Sequence, residues 1–504
     1  MTIDAPPKPA SSLEPTFAFD NSYARMSDRF FVRTNPTPVA APRLIHLNRT
    51  LARELGLNAE ALSQSAAASI FAGNRIPSGA EPIATAYAGH QFGGFNSKLG
   101  DGRAILLGEL IAPDGRRFDL QLKGSGPTAF SRRGDGRAAL GPVLREYIIS
   151  ETMAALGIPT TRSLAAVTTG ETVQRETPLP GAVLTRVASS HIRIGTFQYF
   201  AVRKDIDGVR ELADHVIARH YPDAARAANP YLALLDGIIA RQARLVAQWM
   251  LIGFIHGVMN TDNTSIAGET IDYGPCAFMD MYDPATVYSS IDEQGRYAYG
   301  NQPSIIQWNL TRLAETLLPL IADDTTIAIA QAQVALDAFG SLYSTTYSDG
   351  LRAKIGFSTA HADDLALGQD LLERMHRNGA DMTQTFRALC DAAADEGNDQ
   401  NVRALFANPA DFDTWAITWR QRLQLETTTP QARRDAMRAT NPVYIPRNHL
   451  VEEALAAAVG KDDFAPFERL LEVLEKPFQD QPTAQRYSLP PKPDEIVRAT
   501  FCGT

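Results

Sequence analysis

Cysteine is almost missing from this chain of 504 residues, which has only Cys276, Cys390 and Cys502. Three cysteines so widely spaced exclude a disulfide scaffold and a four-ligand zinc site. Long apolar runs are missing too. The most apolar stretch, "LVAQWMLIGFI" at 245–255, is interrupted by Gln248. It falls well short of the roughly 20 residues a membrane helix needs, so it reads as a buried core helix and no membrane partner is expected. Excess positive charge is absent: the formal net charge is −9 and no long basic run occurs, which argues against a nucleic-acid partner. The N-terminus, "MTIDAPPKPASSLEPTF", lacks the basic start and apolar stretch of a signal peptide and fits a transit peptide poorly, so a cytoplasmic location is expected. No internal repeat or low-complexity array is evident.

What is present divides into two kinds of pattern. Residues 1–20, rich in Pro, Ser and Ala, read as a mobile lead-in. "GRAILLGEL" (102–110) and "RRFDLQLKG" (116–124) flank Pro113-Asp114-Gly115, which is turn chemistry, and predict an antiparallel hairpin. A helix over "VLREYIISETMAAL" is opened by Gly141-Pro142 and closed by Gly157. Segment 161–187 is again strand-rich, and from Asp236 the character turns helical, with "GIIARQARLVAQWMLIGFIHGV" the longest apolar helix. A strand-rich first half and a helical second half predict an α+β protein of two unlike lobes with a cleft between them. The expected divisions are an N-terminal extension (1–75), a nucleotide-binding lobe (76–190), a helical lobe (191–420) and a C-terminal helical extension with a cysteine-bearing tail (421–504).

The chemistry-bearing residues gather in "HGVMNTDNTSIAGETIDYGP", 256–275. Protein kinases carry a histidine, a catalytic aspartate two residues on, an asparagine five residues later, and an Asp-Phe-Gly element that holds metal. His256 and Asn263 keep that spacing and Asp272-Tyr273-Gly274 resembles the metal element, but Val258 stands where the aspartate should be. Asp262, Asn263 and Asp272 supply hard oxygen ligands suited to Mg²⁺ shared with phosphates. The approach "TI" to Asp272 reads as a strand end. Each segment alone also fits an ordinary solvated loop followed by a hairpin.

Phosphate contacts are offered by the first half. Gly100 and Gly102 precede a strand, where backbone N–H groups can approach a phosphate. Lys123 ends the strand "FDLQLK", and a strand lysine paired with a helix glutamate orients that lysine toward nucleotide phosphates; Glu146 is the partner, with Glu151 as a rival. "SRRGDGRAALG" is a second Gly-rich segment with Asp135 and Gly136. Arg186 and Arg193 are forked donors for phosphate, or ordinary ion-pair partners.

The blocks "AYAGHQFGGFNSKLGDGRAILLGE", "DLQLKGSGPTAFSRRGDGRAALGPVLREYIISE" and "GFIHGVMNTDNTSIAGETIDYGPCAFMD" closely resemble the signature blocks of the selenoprotein O family (YdiU-type proteins), over roughly residue 15 to the C-terminus. The resemblance implies a bilobal protein-kinase-like fold acting as a protein adenylyltransferase. ATP would bind with its phosphate chain reversed, so that AMP, or UMP from UTP, passes to Ser, Thr or Tyr hydroxyls of protein substrates. By position, Gly100, Gly102 and Arg103 match the family's nucleotide loop; Lys123, Asp135, Gly136, Arg186 and Arg193 match further nucleotide contacts; Glu146 matches the lysine's partner. Asp262 matches the proton acceptor, and Asn263 and Asp272 match ligands of Mg²⁺ or Mn²⁺, Asp272 also touching nucleotide. Where some members carry selenocysteine, this chain has Cys502, and a reversible Cys276–Cys502 bond that restrains the site is expected from their placements. A monomer is expected. The alternatives are a kinase that transfers the γ-phosphoryl group and a silent pseudokinase scaffold.

Overall fold

Turn chemistry sets the sheet. At the tip of the hairpin Gly115 N donates to Ala112 O (2.9 Å) and Asp114 Oδ1 accepts from Arg116 N (3.0 Å), an Asx-type closure that fixes the register of the strands on either side. The structure is a computed structural model that describes residues 15–62 and 64–501. Its strands are β1 (Phe31–Arg33), β2 (Arg43–Leu47), β3 (Ile83–Thr85), β4 (Gly89–Gln91), β5 (Gly94–Asn96), β6 (Ala104–Ile111), β7 (Arg117–Lys123), β8 (Ala138–Ala139), β9 (Arg162–Gln174), β10 (Pro178–Ala188), β11 (Phe254–Ile255) and β12 (Ala277–Phe278). Its first helices are α1 (Arg49–Glu54), α2 (Gln64–Phe71), α3 (Leu140–Ala155), α4 (Ile194–Ala201), α5 (Ile206–His220) and α6 (Pro230–Ile252). They are followed by α7 (Gln302–Ile321), α8 (Thr325–Lys354), α9 (Asp364–Asn378), α10 (Met382–Ala392), α11 (Asp399–Arg403), α12 (Pro409–Leu423), α13 (Pro430–Thr440), α14 (Asn448–Lys461) and α15 (Ala465–Leu474).

The chain forms two units that alternate along the sequence. The first holds the described residues up to Thr85, Asp101–Ala139 and Ser163–Ser189; the second holds Ala86–Gly100, Leu140–Arg162 and the chain from Ser190 onward. The first unit is a sheet in the order β1-β3-β6-β7-β10-β9-β2, with β8 beside β10. Alternation along β7 points Leu120 and Leu122 to one face, where they join Leu107, Leu110, Val183 and Val187 under Leu51, Leu55, Ala68 and Phe71 of the α1–α2 region. Each such buried Leu, Val or Phe side chain contributes about 1.5–3 kcal/mol. The other face carries Asp119, Gln121 and Lys123, and there Asp119 and Gln121 are buried as well.

In the second unit α6 is capped by Asn229, whose side chain accepts from Leu232 N (3.1 Å), with Pro230 in the first turn. It stops at Gly253, whose φ of +73° ends the helix, so "HGV" lies beyond it and the expected helix is shortened at that end. A core of Ile255, Met279, Leu371, Phe386, Trp415 and Trp419 holds α8–α13 together. Helices α14 and α15 pack on α3, where Tyr147 and Phe467 meet edge to face at 5.7 Å.

The fold is thus mixed α/β, with the sheet in the N-terminal part and helices in the C-terminal part. The lead-in differs from expectation. Residues 1–14 lie outside the described residues, but Phe19 bridges to Leu110 and Asp20 pairs with Arg117 (2.5 Å), which ties residues 15–20 to the sheet. No helix among the described residues is long and apolar enough to cross a membrane.

Candidate active site

The second unit gathers the acids. Strands β11 and β12 pair Phe254 with Phe278 and Ile255 with Ala277, and the long connection between them, 256–276, carries His256, Asp262, Asn263 and Asp272. Burial pushes the His256 ring below its usual range, so it is neutral. Its Nε2 lies 2.9 Å from Ile271 O, and Nδ1 accepts from Val258 N (3.4 Å). The histidine therefore works as a tie that places Ile271, and with it Asp272, against the start of the loop.

Asp272 is not at a strand end as the sequence suggested; it sits in a turn with φ +62°, where Gly274 N donates to Asp272 O (2.9 Å). An aspartate held in the left-handed region is strained backbone, a feature that recurs at functional sites. Arg193, at the N-terminal end of α4, donates from Nη1 both to the Asp272 carboxylate and to the backbone carbonyl of Asp262 (2.6 Å), and its guanidinium lies 4.7 Å from the Tyr87 ring centre. One buried cation thus pins the two acidic positions together.

The Asp262 carboxylate is buried. Gln91 Nε2 donates to Oδ2 (3.1 Å), while Oδ1 has no hydrogen-bond partner among the described residues. Burial pushes its pKa up to about 6, with Arg193 and Gln91 opposing the rise. Asn263 Nδ2 donates to Val258 O (3.0 Å), which commits the amide nitrogen and leaves the carbonyl oxygen as the atom suited to a cation. Among the described residues no three His, Cys, Asp or Glu cluster as a ready-made metal cage. An amide oxygen and a carboxylate nevertheless fit Mg²⁺ or Mn²⁺, since such ions take one or two protein oxygens and complete their shell with phosphates and water.

The sequence reading missed the short hairpin β4–β5. Gly89 is its essential residue: a Cβ there would stand 2.3 Å from Asp262 Oδ1 and 2.9 Å from Asp262 Cβ. His90 N donates to Thr261 Oγ1 (2.7 Å), Thr261 Oγ1 to Gln198 Oε1 (2.6 Å), and the Gln198 amide meets His90 Nδ1 (2.9 Å), a ring of bonds that locks hairpin to loop. Gly89→Ala is therefore expected to displace the Asp262 carboxylate and cut catalytic turnover by about tenfold or more while the protein stays folded. Steady-state kinetics alongside a circular-dichroism melt checks this.

In the first unit Gln121 faces Arg186 directly across β7 and β10, and Lys123 faces Leu184, so Lys123 and Arg186 share one face of the sheet. Arg186 is fully buried and donates from Nη1 to Gln121 Oε1 (3.4 Å). The Gly-rich turn is held from below: Thr128 Oγ1 donates to Asp101 O (2.6 Å) and Ser131 Oγ to Gly102 O, while Gly124 N donates to Arg103 O (2.7 Å). Asp135 is paired with Arg175 (3.0 Å) and accepts from Arg137 N (2.9 Å); Gly136 O accepts from Gly126 N (3.0 Å). Gly100 ends the segment Ala86–Gly100 of the second unit, and Glu146 is buried there on α3. The rival Glu151 is gripped by Arg162 through Nε (3.0 Å) and Nη2 (2.7 Å). Cys276 is fully buried; Cys502 lies outside the described residues, two positions beyond Thr500, whose hydroxyl donates to Pro275 O (2.7 Å).

A sheet that presents a lysine and a Gly-rich turn, and a loop that presents an acid, an amide and a second acid, are the parts of an enzyme that handles a nucleoside triphosphate. Comparison with known proteins gives the class: relatives named protein nucleotidyltransferase YdiU match nearly end to end. That of Rhodopseudomonas palustris (strain BisB5) is 65% identical over 488 residues, covering 97% of this chain and 99% of the relative. Those of Bradyrhizobium sp. (strain ORS 278) and of Methylorubrum extorquens are 63% and 62% identical, each over 97% of this chain and 99% of the relative. The chain is a nucleotidyltransferase. It belongs to the SelO family, whose model, described as protein adenylyltransferase SelO, matches residues 15–475.

Proposed function

We propose that this enzyme, with a kinase-like fold, transfers the AMP moiety of ATP, or UMP from UTP, to Ser, Thr or Tyr hydroxyls of proteins and releases pyrophosphate. The observation that carries this reading is that Arg193 holds Asp262 and Asp272 together, with Asn263 tied to the carbonyl of the buried Val258 that stands in the place of a kinase base. Lys123, Arg103 and Arg186 would meet phosphate oxygens, Gly100, Gly102, Asp135 and Gly136 would line the nucleotide, and Glu146 would orient the lysine. Asn263 and Asp272 would hold Mg²⁺ or Mn²⁺, which when bound supplies positive charge at the phosphates. Asp262 would take the proton of the incoming hydroxyl as its oxygen attacks the α-phosphorus.

A coupled assay for pyrophosphate, run beside one for ADP with an acceptor protein present, tests the reading. Pyrophosphate without ADP is expected; ADP alone would support a kinase, and neither product would support a silent scaffold.

The raised pKa of Asp262 adds a pH dependence. Only the ionised carboxylate accepts a proton, so turnover is expected to rise with pH through about 6. Stability runs the opposite way: the folded protein holds this proton more tightly than the unfolded chain does, so the contribution of Asp262 is lost as pH rises through that value. A kcat–pH profile recorded beside unfolding curves at the same pH values checks both signs.

A further inference from the structure

The hairpin β4–β5 has an inner edge that contacts Asp262 and a tip that lies against Tyr297 and Arg296. Its turn is Phe92-Gly93, with φ of +51° and +85°. Phe92 N donates to Tyr297 OH (3.2 Å), and the two rings lie 5.1 Å apart. A Cβ on Gly93 would stand 3.8 Å from Arg296 Cζ, so the Arg296 guanidinium rests against the turn. It is stacked on aromatic faces, 5.0 Å from the Trp308 ring centre and 5.7 Å from that of Tyr297. Among the described residues no carboxylate pairs with it. Asp292 instead accepts the backbone N–H groups of Arg296 (2.9 Å) and Tyr297 (2.7 Å), Glu293 is exposed and forms no ion pair with it, and the neighbouring Arg312 is paired with Glu315 (2.7 Å).

Beyond the other end of the hairpin Arg203 repeats the pattern. Its guanidinium donates to Ser97 O (3.1 Å) and Tyr199 O (2.7 Å), lies 3.6 Å from the Tyr199 ring centre, and has no carboxylate partner among the described residues. Phe92 and Phe95 expose 36% and 42% of their surface between these cations, enough to offer apolar contact. In a chain with 57 acidic and 48 basic side chains, two arginines that have no carboxylate partner among the described residues and lie against one hairpin form a local positive edge.

We propose that this edge docks the protein substrate, by pairing Arg296 with an acidic residue that lies two or three positions from the accepting hydroxyl. The proposal rests on the reading that Asp262 receives the proton of that hydroxyl. Gln91 touches the Asp262 carboxylate and Gly93 touches Arg296, and Gln91 pairs with Gly94 across the turn, so the two points lie within one tight turn, with side-chain reach added. A turn keeps its ends within about 7 Å at Cα, and side-chain reach brings the span to roughly 7–10 Å, which an extended substrate at about 3.3 Å per residue covers in two or three residues. The aromatic rings beneath Arg296 hold its side chain in place, so little freedom is lost when a carboxylate pairs with it.

The test uses the full chain and synthetic peptides, each with a single Ser, Thr or Tyr and with Glu, Ala or Lys placed at one flanking position. They are incubated with α-labelled ATP and Mg²⁺ or Mn²⁺. Peptides with Glu two or three residues from the hydroxyl are expected to be labelled about tenfold more efficiently than their Lys counterparts. Added salt should shrink the difference. Arg296→Glu should reverse the preference and Arg296→Lys retain most of it, with KM for ATP unchanged in both. Equal labelling of Glu and Lys peptides, or an unchanged ratio in Arg296→Glu, overturns the docking edge. Labelling of proteins but of no peptide overturns it too, and leaves nucleotide transfer standing; absence of α-label from every protein and peptide rejects the transfer reading itself.

Discussion

Asp262→Asn is expected to lower nucleotide transfer by at least a hundredfold, the ordinary worth of a positioned general base, while ATP binding stays close to wild type. The substitution is nearly isosteric. An Asn oxygen can still accept from Gln91 Nε2, the close fit against Gly89 is kept, and the backbone carbonyl that receives Arg193 is untouched. What is removed is the ability to take a proton. Calorimetric titration with ATP, paired with labelling from α-labelled ATP, separates the two effects. A variant that labels protein at near wild-type rate would show that another group accepts the proton.

The second large effect belongs to Arg193. Its Nη1 bonds the Asp272 carboxylate and the Asp262 carbonyl, and its backbone N–H donates to the Thr196 hydroxyl (3.1 Å) at the start of α4. Arg193→Ala removes the cation from a buried pair and takes this partner away from the Asp272 carboxylate. Breaking such pairs costs about 3–5 kcal/mol, and partial exposure of Asp272 points to the lower end. Denaturant unfolding should show a loss near ~3 kcal/mol, and transfer should vanish with it. Arg193→Lys keeps the charge but lacks the forked geometry, so it is expected to recover most of the stability and little of the rate. Wild-type stability in Arg193→Ala would mean that the pair contributes nothing to the loop.

What could be read from the sequence was local. The β6–β7 hairpin is marked by Pro113-Asp114-Gly115, and α3 by Gly141-Pro142 and Gly157, because turn and cap chemistry act over a few residues. The acids of 256–275 were found because a motif keeps its spacing in sequence. The hairpin β4–β5 was invisible: each strand is three residues long, too short for a period of two, and its meaning lies in Gln91 meeting Asp262 across 171 positions. The same holds for the buried polar face of β7. Alternation placed Gln121 opposite the leucines, but only the pairing with β10 shows that Arg186 covers it. Residues after 320 had no evident task, and α14 now has one: Arg145, beside Glu146 on α3, bonds Asn448 Oδ1 (3.1 Å), Glu452 and Cys276 O (3.2 Å), which anchors the helix that carries Glu146.

The most direct test of the chemistry is which phosphorus is attacked. Parallel incubations of the full chain with α-labelled and γ-labelled ATP, Mg²⁺ or Mn²⁺ and an acceptor protein should place label on protein from the α-position alone. Label on protein from the γ-position would contradict nucleotide transfer and restore an ordinary kinase.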